Sequence, residues 1–121
     1  MPLGPVPDDS ELKSMSMWFG PEGPDAGRVE VATLPVLVGL YLDISAQRGR
    51  YGLRALRFAL LEAGHLAQNL ALTAAATELS LGILGGFYDD VANETFMLDG
   101  IDDFLVYLLP LGRKRADARP D

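Results

Sequence analysis

The feature that most constrains the fold of this chain is a long segment rich in alanine and leucine at residues 54–79. It contains no proline and a single internal glycine, and alanine and leucine lose little conformational freedom when they enter a helix. We therefore predict one long helix here. At about 100° per residue its polar side chains share one stripe, whereas the rest of the circumference is apolar. Such a helix belongs in a core, so other elements or another subunit must cover it.

The polar stripe of this helix has two interpretations. A narrow polar stripe on an otherwise apolar helix often lines a site, but it is also typical of a core helix whose charged side chains find partners at the protein surface. A lone histidine in such a helix is more often a packed residue than a catalyst, and we treat the neighbouring amides as structural. The stripe comprises Arg54, Arg57, Glu62, His65, Gln68 and Asn69.

The size of the chain limits what it can bury. A chain of 121 residues is one small domain by length, and 49% of its residues are hydrophobic. A small domain has too much surface to hide that many apolar side chains. We therefore expect it to associate with another chain or with further copies of itself.

Composition and charge also exclude several classes of function. The chain has no cysteine and one histidine, which leaves no disulfide, no thiolate site and no ordinary zinc site, so we expect no metal. A net charge of −7 argues against nonspecific nucleic-acid binding. The long helix is too polar along its stripe to span a membrane, and the N-terminus lacks a secretory signal. We expect a cytoplasmic protein without membrane or nucleic-acid partners.

The chain divides into an arm, a domain and a tail. Residues 1–33 carry five of the eight prolines, a composition that disfavours long regular elements and predicts an irregular N-terminal arm. The apolar middle of the arm, residues 15–19, is able to dock either on a partner or on its own domain. We place the domain at residues 34–115 and the tail at residues 116–121.

Three continuous apolar runs predict strands, at residues 34–42, 81–84 and 104–111. Pro110 suggests that the last run is an edge strand or a strand end. Residues 43–49 are predicted as a loop, and Asp89 or Asp90 can cap a short helix through about Phe96. The pattern predicts an α+β fold in which a small sheet packs on one long buried helix. A second chain could cover the unpaired edges of such a sheet.

A set of short motifs in the second half of the chain stands in a distinctive order. They are Tyr51-Gly52, Arg57, ALLEAGH at 59–65, AQN at 67–69, GGFYDD at 85–90 and LDG at 98–100. Over about residues 34–115 the chain resembles the C-terminal half of nitroreductase-like flavoproteins. It is most similar to the branch that oxidises thiazolines and oxazolines in ribosomally made peptides. The resemblance implies a nitroreductase-like half domain and an FMN cofactor.

The glycine pair Gly85-Gly86 is the first candidate for cofactor binding. A residue without a Cβ atom lets a planar ring approach the backbone, and the resemblance implies that the N–H of Gly86 faces the N5 region of the flavin. Taken without the resemblance, two glycines after a strand usually form a turn. Arg113 and Arg115 follow the last strand, where the resemblance implies cations for the FMN phosphate, although a solvated basic tail is an equal alternative.

The pair Arg50-Tyr51 is the candidate for catalysis. It stands where the azoline-oxidising branch has a Lys-Tyr pair implicated in removing the substrate proton. Tyr51 keeps the phenol, but a guanidinium with a pKa above about 12 cannot act as a base. Arg50 could lower the pKa of Tyr51 through its charge, or the subunit has lost the chemistry.

The Arg- and Ser-bearing segment with which family members bind the FMN phosphate has no counterpart among the motifs of this chain. We therefore expect a subunit of a split FMN-dependent oxidoreductase that dehydrogenates azoline rings in a ribosomally made peptide. A second protein chain would supply the missing half, in a hetero- or homo-oligomer. The alternative is a noncatalytic partner subunit that scaffolds a complete flavoenzyme or a peptide-modifying complex.

Overall fold

The computed structural model describes residues 6–20 and 29–113. The fold is α+β, with a small three-stranded sheet and one long helix, so the predicted fold class is confirmed. Two short 3₁₀ helices, Val31–Thr33 and Gly52–Arg54, join the main elements. The main elements in chain order are α1 (Asp9–Ser14), β1 (Val36–Asp43), α2 (Ile44–Tyr51), α3 (Ala55–Ala76), β2 (Leu79–Leu81), α4 (Asp89–Thr95) and β3 (Asp103–Arg113).

The sheet is antiparallel, with β3 between β1 and β2. The register of β1 on β3 shifts between Leu40 and Tyr41, which marks an irregularity in the ladder. Beyond the end of β2, an isolated bridge between Leu84 and Leu108 continues the pairing along β3. The chain then leaves the sheet toward α4.

The interpretation of Pro110 as a sign of an edge strand or a strand end was wrong. Pro110 lies inside the central strand, opposite Leu37 of β1, and its carbonyl accepts a hydrogen bond of 2.9 Å from the Gly82 amide. The missing N–H of Pro110 removes one bond from the ladder, but the Gly82 amide still donates to its carbonyl and the pairing resumes at Leu84 and Leu108.

The predicted loop at residues 43–49 was also wrong, because most of it is helix α2. The Asp43 side chain caps this helix by accepting a hydrogen bond from the Ala46 amide at 3.4 Å. Ile44 is buried in the first turn and anchors α2 in the core. Gly52, with φ of 61°, ends the helix in a backbone conformation that favours glycine.

Helix α3 confirms the predicted long helix and its exposed polar stripe. The helix contacts the sheet through alanines, which let its backbone approach the strands closely. These buried alanines are Ala55, Ala59, Ala63, Ala67 and Ala74. We expected other elements to cover this helix, but among the described residues only its alanine side is covered. Several large apolar side chains of the helix remain exposed. They are Leu56, Phe58, Leu60, Leu61, Leu66, Leu70 and Leu72.

These exposed side chains differ in the side of the helix on which they lie. Leu61 and Leu72 are 58% and 60% exposed, and at about 100° per residue they lie with the polar stripe, opposite the alanines. Leu70 instead points toward the sheet and lines a small apolar cavity with Val38 and Leu109. The outer leucines, Leu61 and Leu72, are therefore available to another protein surface.

The opposite face of the sheet is covered by the N-terminal arm and α4. Met15, Phe19 and Val31 are buried against Ala92 and Leu108, so the arm folds on its own domain, one of the two arrangements expected from the sequence. The predicted short helix is present as α4, but the prediction that Asp89 or Asp90 caps it was wrong, because the N-cap residue is Tyr88, whose side chain makes no capping hydrogen bond. The carboxylates of Asp89 and Asp90 in its first turn interact favourably with the positive end of the helix dipole.

A loop before β3 is held by one carboxylate. The side chain of Asp99 accepts hydrogen bonds from the backbone amides of Ile101, Asp102 and Asp103 at 2.7, 2.8 and 3.0 Å. These bonds, chiefly those from Asp103 and Ile101, hold the pKa of Asp99 at about 2. The ionised carboxylate thus ties the entry to the central strand.

In the part of the chain that the structure describes, no helix is both long enough and apolar enough to cross a membrane.

Asn93 is the buried polar link between α4 and the central strand. Its side-chain oxygen accepts a hydrogen bond of 2.8 Å from the Leu105 amide. We expect Asn93→Ala to lower the free energy of unfolding by about 1–3 kcal/mol, because it leaves that amide buried without an acceptor. Chemical denaturation would measure this loss, with exposed Asn69→Ala as the control. Equal stability of the two variants would contradict the assignment.

Candidate functional site

The glycine pair lies where the sheet ladder ends. Leu84 exchanges two hydrogen bonds with Leu108, at 2.9 and 3.0 Å, and the next backbone bond of this segment is from the Tyr88 amide to the Met15 carbonyl at 2.7 Å. Between them, Gly85 and Gly86 are exposed, and neither amide donates a hydrogen bond within residues 6–20 and 29–113. Two backbone donors are therefore free for a ligand.

The absence of a Cβ atom matters differently at the two glycines. Neither has a positive φ, so a left-handed turn does not explain them. A Cβ atom at Gly86 would lie 3.2 Å from Nε1 of Trp18, which is tight, whereas one at Gly85 would meet only Tyr107, at 3.9 Å. The approach of Trp18 thus accounts for glycine at position 86. At position 85 the space beside the backbone is open.

Ser16 positions the backbone of this pair. Its hydroxyl donates a hydrogen bond of 2.6 Å to the Gly86 carbonyl and accepts one of 3.2 Å from the Trp18 amide. Ser16 is 2% exposed, so the bond is shielded from water. Neither Ser16 nor Trp18 was predicted as a site residue, and the only sequence signal for them is the apolar middle of the arm.

The candidate catalytic pair lies elsewhere, at the junction of α2 and α3. The Tyr51 ring packs edge-to-face on Phe58, with centroids 5.1 Å apart, and both Arg50 and Tyr51 are exposed. Within the described ranges no hydrogen bond or ion pair joins this pair to the glycines or joins Arg50 to Tyr51. The phenol is therefore free to meet a substrate or a partner.

An open groove of about 490 Å³ lies beside this junction. It runs between α2, the start of α3 and the sheet, and its walls are mostly apolar. The lining residues are Ile44, Arg48, Gly52, Leu53, Ala55, Leu56 and Phe104. Two of the lining residues, Gly52 and Leu53, follow Tyr51 directly in the chain.

The candidate phosphate ligand Arg113 is not beside the glycine pair. It ends β3 opposite Leu79, whereas Leu84 is opposite Leu108. Five residues of strand separate these positions, a distance of about 17 Å. Arg115 lies outside the described residues, so its position is not assigned.

The polar stripe of α3 does not approach the glycines either. His65, Gln68 and Asn69 are exposed on the side of α3 that faces away from the sheet. Among the residues described, no group of three histidine or acidic side chains is arranged to hold a metal ion. The glycine pair and the Tyr51 junction are thus the two candidate sites.

The glycine pair fits one end of a flavin. Two exposed amides without acceptors and an open backbone face at Gly85 suit the polar edge of a planar ring. The phosphate end finds no such match, because the only described candidate for it, Arg113, stands at the far end of β3. The residues that the structure describes therefore suit the ring but not the phosphate.

Comparisons of the sequence and of the structure with known proteins indicate the same family. The sequence profile described as the Nitroreductase family matches residues 26–113. The chain is 31% identical over 84 residues to a protein of Methanocaldococcus jannaschii that bears the name nitroreductase. The match covers 69% of this chain and 41% of that relative, so the chain spans less than half the relative's length.

Two solved structures are also similar. A protein of Anabaena variabilis that bears the name nitroreductase is 34% identical, with a TM-score of 0.56, over 65% of this chain and 16% of that chain. A nitroreductase family protein of Streptococcus pneumoniae is 18% identical, with a TM-score of 0.67, over 93% of this chain and 68% of that chain. At 18% identity, the second structure supports a similarity of fold and nothing further.

Proposed function

The chain belongs to the nitroreductase family, and on this premise we propose that it is one subunit of an FMN-dependent oxidoreductase. The observation that carries the proposal is the pair of exposed, unpaired amides at Gly85 and Gly86, beside an open backbone face. A flavin bound there would supply hydride transfer. The two amides would orient the ring by donating hydrogen bonds to its polar edge, and Ser16 would hold their backbone in place.

The phosphate end of the cofactor is proposed to be held by a second polypeptide. Support comes from two places in the structure. Arg113 stands about 17 Å along β3 from the residue facing Leu84, and the outer leucines of α3 expose apolar surface that a partner could cover. Such a split enzyme would be a hetero-oligomer, or a homo-oligomer in which each copy completes the site of another.

The proposed substrate is an azoline ring in a ribosomally made peptide. This step rests on the similarity of the motifs around Tyr51 and Gly86 to the azoline-oxidising branch. The two residues after Tyr51, Gly52 and Leu53, line an open apolar groove in which a peptide could be held. Tyr51 would then accept the substrate proton.

A noncatalytic partner subunit is the second candidate. Arg50 replaces the lysine of the branch and cannot act as a base. It also makes no hydrogen bond or ion pair to Tyr51 within the described residues. In this case the chain would contribute the surface of α3 to a complete flavoenzyme or a peptide-modifying complex.

We expect the chain purified alone to be colourless and associated. It would hold the ring end of FMN too weakly to retain it, and its exposed apolar surface favours self-association. Size-exclusion chromatography with light scattering, together with an absorbance spectrum across the flavin bands, measures both properties. Co-purification with the products of neighbouring genes is the matched comparison and should yield a yellow complex. A yellow monomer would contradict the proposed division of the site.

A further inference from the structure

The arm segment beside the glycine pair is anchored at both ends but exposes one aromatic side chain. Met15 and Phe19 are buried in the core, and the Trp18 carbonyl accepts a hydrogen bond of 2.7 Å from the Val29 amide. Trp18 itself is 43% exposed. The backbone under the indole is therefore fixed, while the indole faces both the glycines and the solvent.

The indole presents its polar edge at the candidate ring site. Its Nε1 and Cδ1 atoms lie 3.2 and 3.7 Å from the position that a Cβ atom of Gly86 would take. The indole N–H donates to no acceptor in the part of the chain described. The indole N–H edge thus lies beside Gly86, and the amides of Gly85 and Gly86 also have no acceptor among the described residues.

We propose that Trp18 is a wall of the ligand site at the glycine pair, where the Nε1 edge of its indole contacts the acceptor edge of a flavin-class ring and donates its N–H to it. The proposal rests on the proposed function and adds a residue from the N-terminal arm to it. An indole suits this role because it combines a large apolar face with one donor. A ring held by three donors and an aromatic wall needs no phosphate for recognition by this chain.

Riboflavin, which lacks the phosphate, should therefore bind the full chain about as well as FMN. Trp18 is the only tryptophan, so its emission reports directly on a ligand beside Gly86. Titration with either flavin should quench this emission with dissociation constants that agree within about threefold, since no described cationic side chain lies within 4 Å of the Cβ positions of the two glycines. Free tryptophan amide at equal absorbance corrects for light absorbed by the flavin.

Variants separate the wall from the donor. Equilibrium dialysis of each flavin measures the affinity of the variants, because this readout does not depend on Trp18. We expect Trp18→Ala to weaken the binding of both flavins by about tenfold or more, through loss of the aromatic contact. Trp18→Phe, which keeps a ring but lacks the N–H, should fall between Trp18→Ala and the unmodified chain. Met17→Ala, in the adjacent exposed position of the arm, is the matched control and should leave binding unchanged.

Three results would overturn the proposal, and they are distinguishable. Equal affinity of the unmodified chain, Trp18→Phe and Trp18→Ala would remove Trp18 from the site but leave the flavin proposal standing. Binding of FMN at least tenfold tighter than riboflavin would place phosphate recognition within this chain. No response to either flavin, from the chain alone or from its co-purified complex, would overturn both this proposal and the proposed function. Circular dichroism verifies that each variant is folded.

Discussion

A Gly86→Val variant is expected to lose flavin from the assembled complex while it keeps its fold. The first added atom would already lie 3.2 Å from the Trp18 indole, so the branched side chain must push the indole aside and occupy the space beside the free amides. The fold should survive because Trp18 is half-exposed and can move without disturbing the core. Gly86 also has no positive φ that would strain a valine backbone.

Absorbance of the purified complex gives the flavin content of the Gly86→Val variant, and thermal unfolding gives its stability. Gly49→Val is a suitable control, because a Cβ atom at Gly49 meets nothing within 4 Å. That control should retain flavin. Full retention by Gly86→Val as well would reduce the glycine pair to a simple connection between the sheet and α4.

A Tyr51→Phe variant distinguishes a catalytic subunit from a scaffold. The change keeps the ring that packs on Phe58 and removes only the hydroxyl. If Tyr51 accepts the substrate proton, the chemical step should slow by about 10²–10⁴-fold while FMN remains bound. Single-turnover reduction of the flavin by an azoline peptide would measure that step. Arg50→Lys places a titratable amine beside Tyr51 and should leave turnover equal or higher.

The comparison needs a variant that breaks the complex without breaking the domain. Leu72→Asp is suitable, because Leu72 is exposed on the outer side of α3. Leu70 is less suitable, because it lines the apolar cavity between α3 and the sheet, where a carboxylate would lie against apolar side chains and destabilise the domain itself. Turnover that is indifferent to Tyr51→Phe and Arg50→Lys but lost in Leu72→Asp would leave the scaffold hypothesis standing.

Local sequence patterns were sufficient for the elements with strong propensity. Alanine and leucine predicted α3 to within three residues at each end, and a continuous apolar run predicted β1 to within two. The same patterns carried the resemblance to the nitroreductase family, which the comparisons confirm. The azoline branch and the half-domain organisation stay predictions, because they concern partners and substrates beyond these patterns.

The sequence predictions were wrong or incomplete where the surroundings of a residue depend on segments that are distant in the sequence. Pro110 by itself indicates an edge strand, yet it lies in the central strand, where its carbonyl still accepts from the Gly82 amide and the pairing resumes at Leu108. The alanines of α3 indicate a helix, but only the packed structure shows that they form its sheet-facing side and leave Leu61 and Leu72 exposed. Propensity depends on a residue and its neighbours, whereas exposure depends on what the fold brings against it.

For the candidate site too, some features follow from the sequence and others only from the tertiary structure. The sequence by itself determined that a glycine pair follows an apolar strand, since the absence of side chains is a property of those residues alone. Only the tertiary structure decided that Ser16, 70 residues away, holds the carbonyl of Gly86, and that the Trp18 indole lies beside it. Those contacts exist because the burial of Met15 and Phe19 draws the arm onto the sheet. The hydrophobic effect is non-directional, so a local pattern shows that a side chain will be buried but not which residues it will contact. Those contacts are decided only when the whole chain folds.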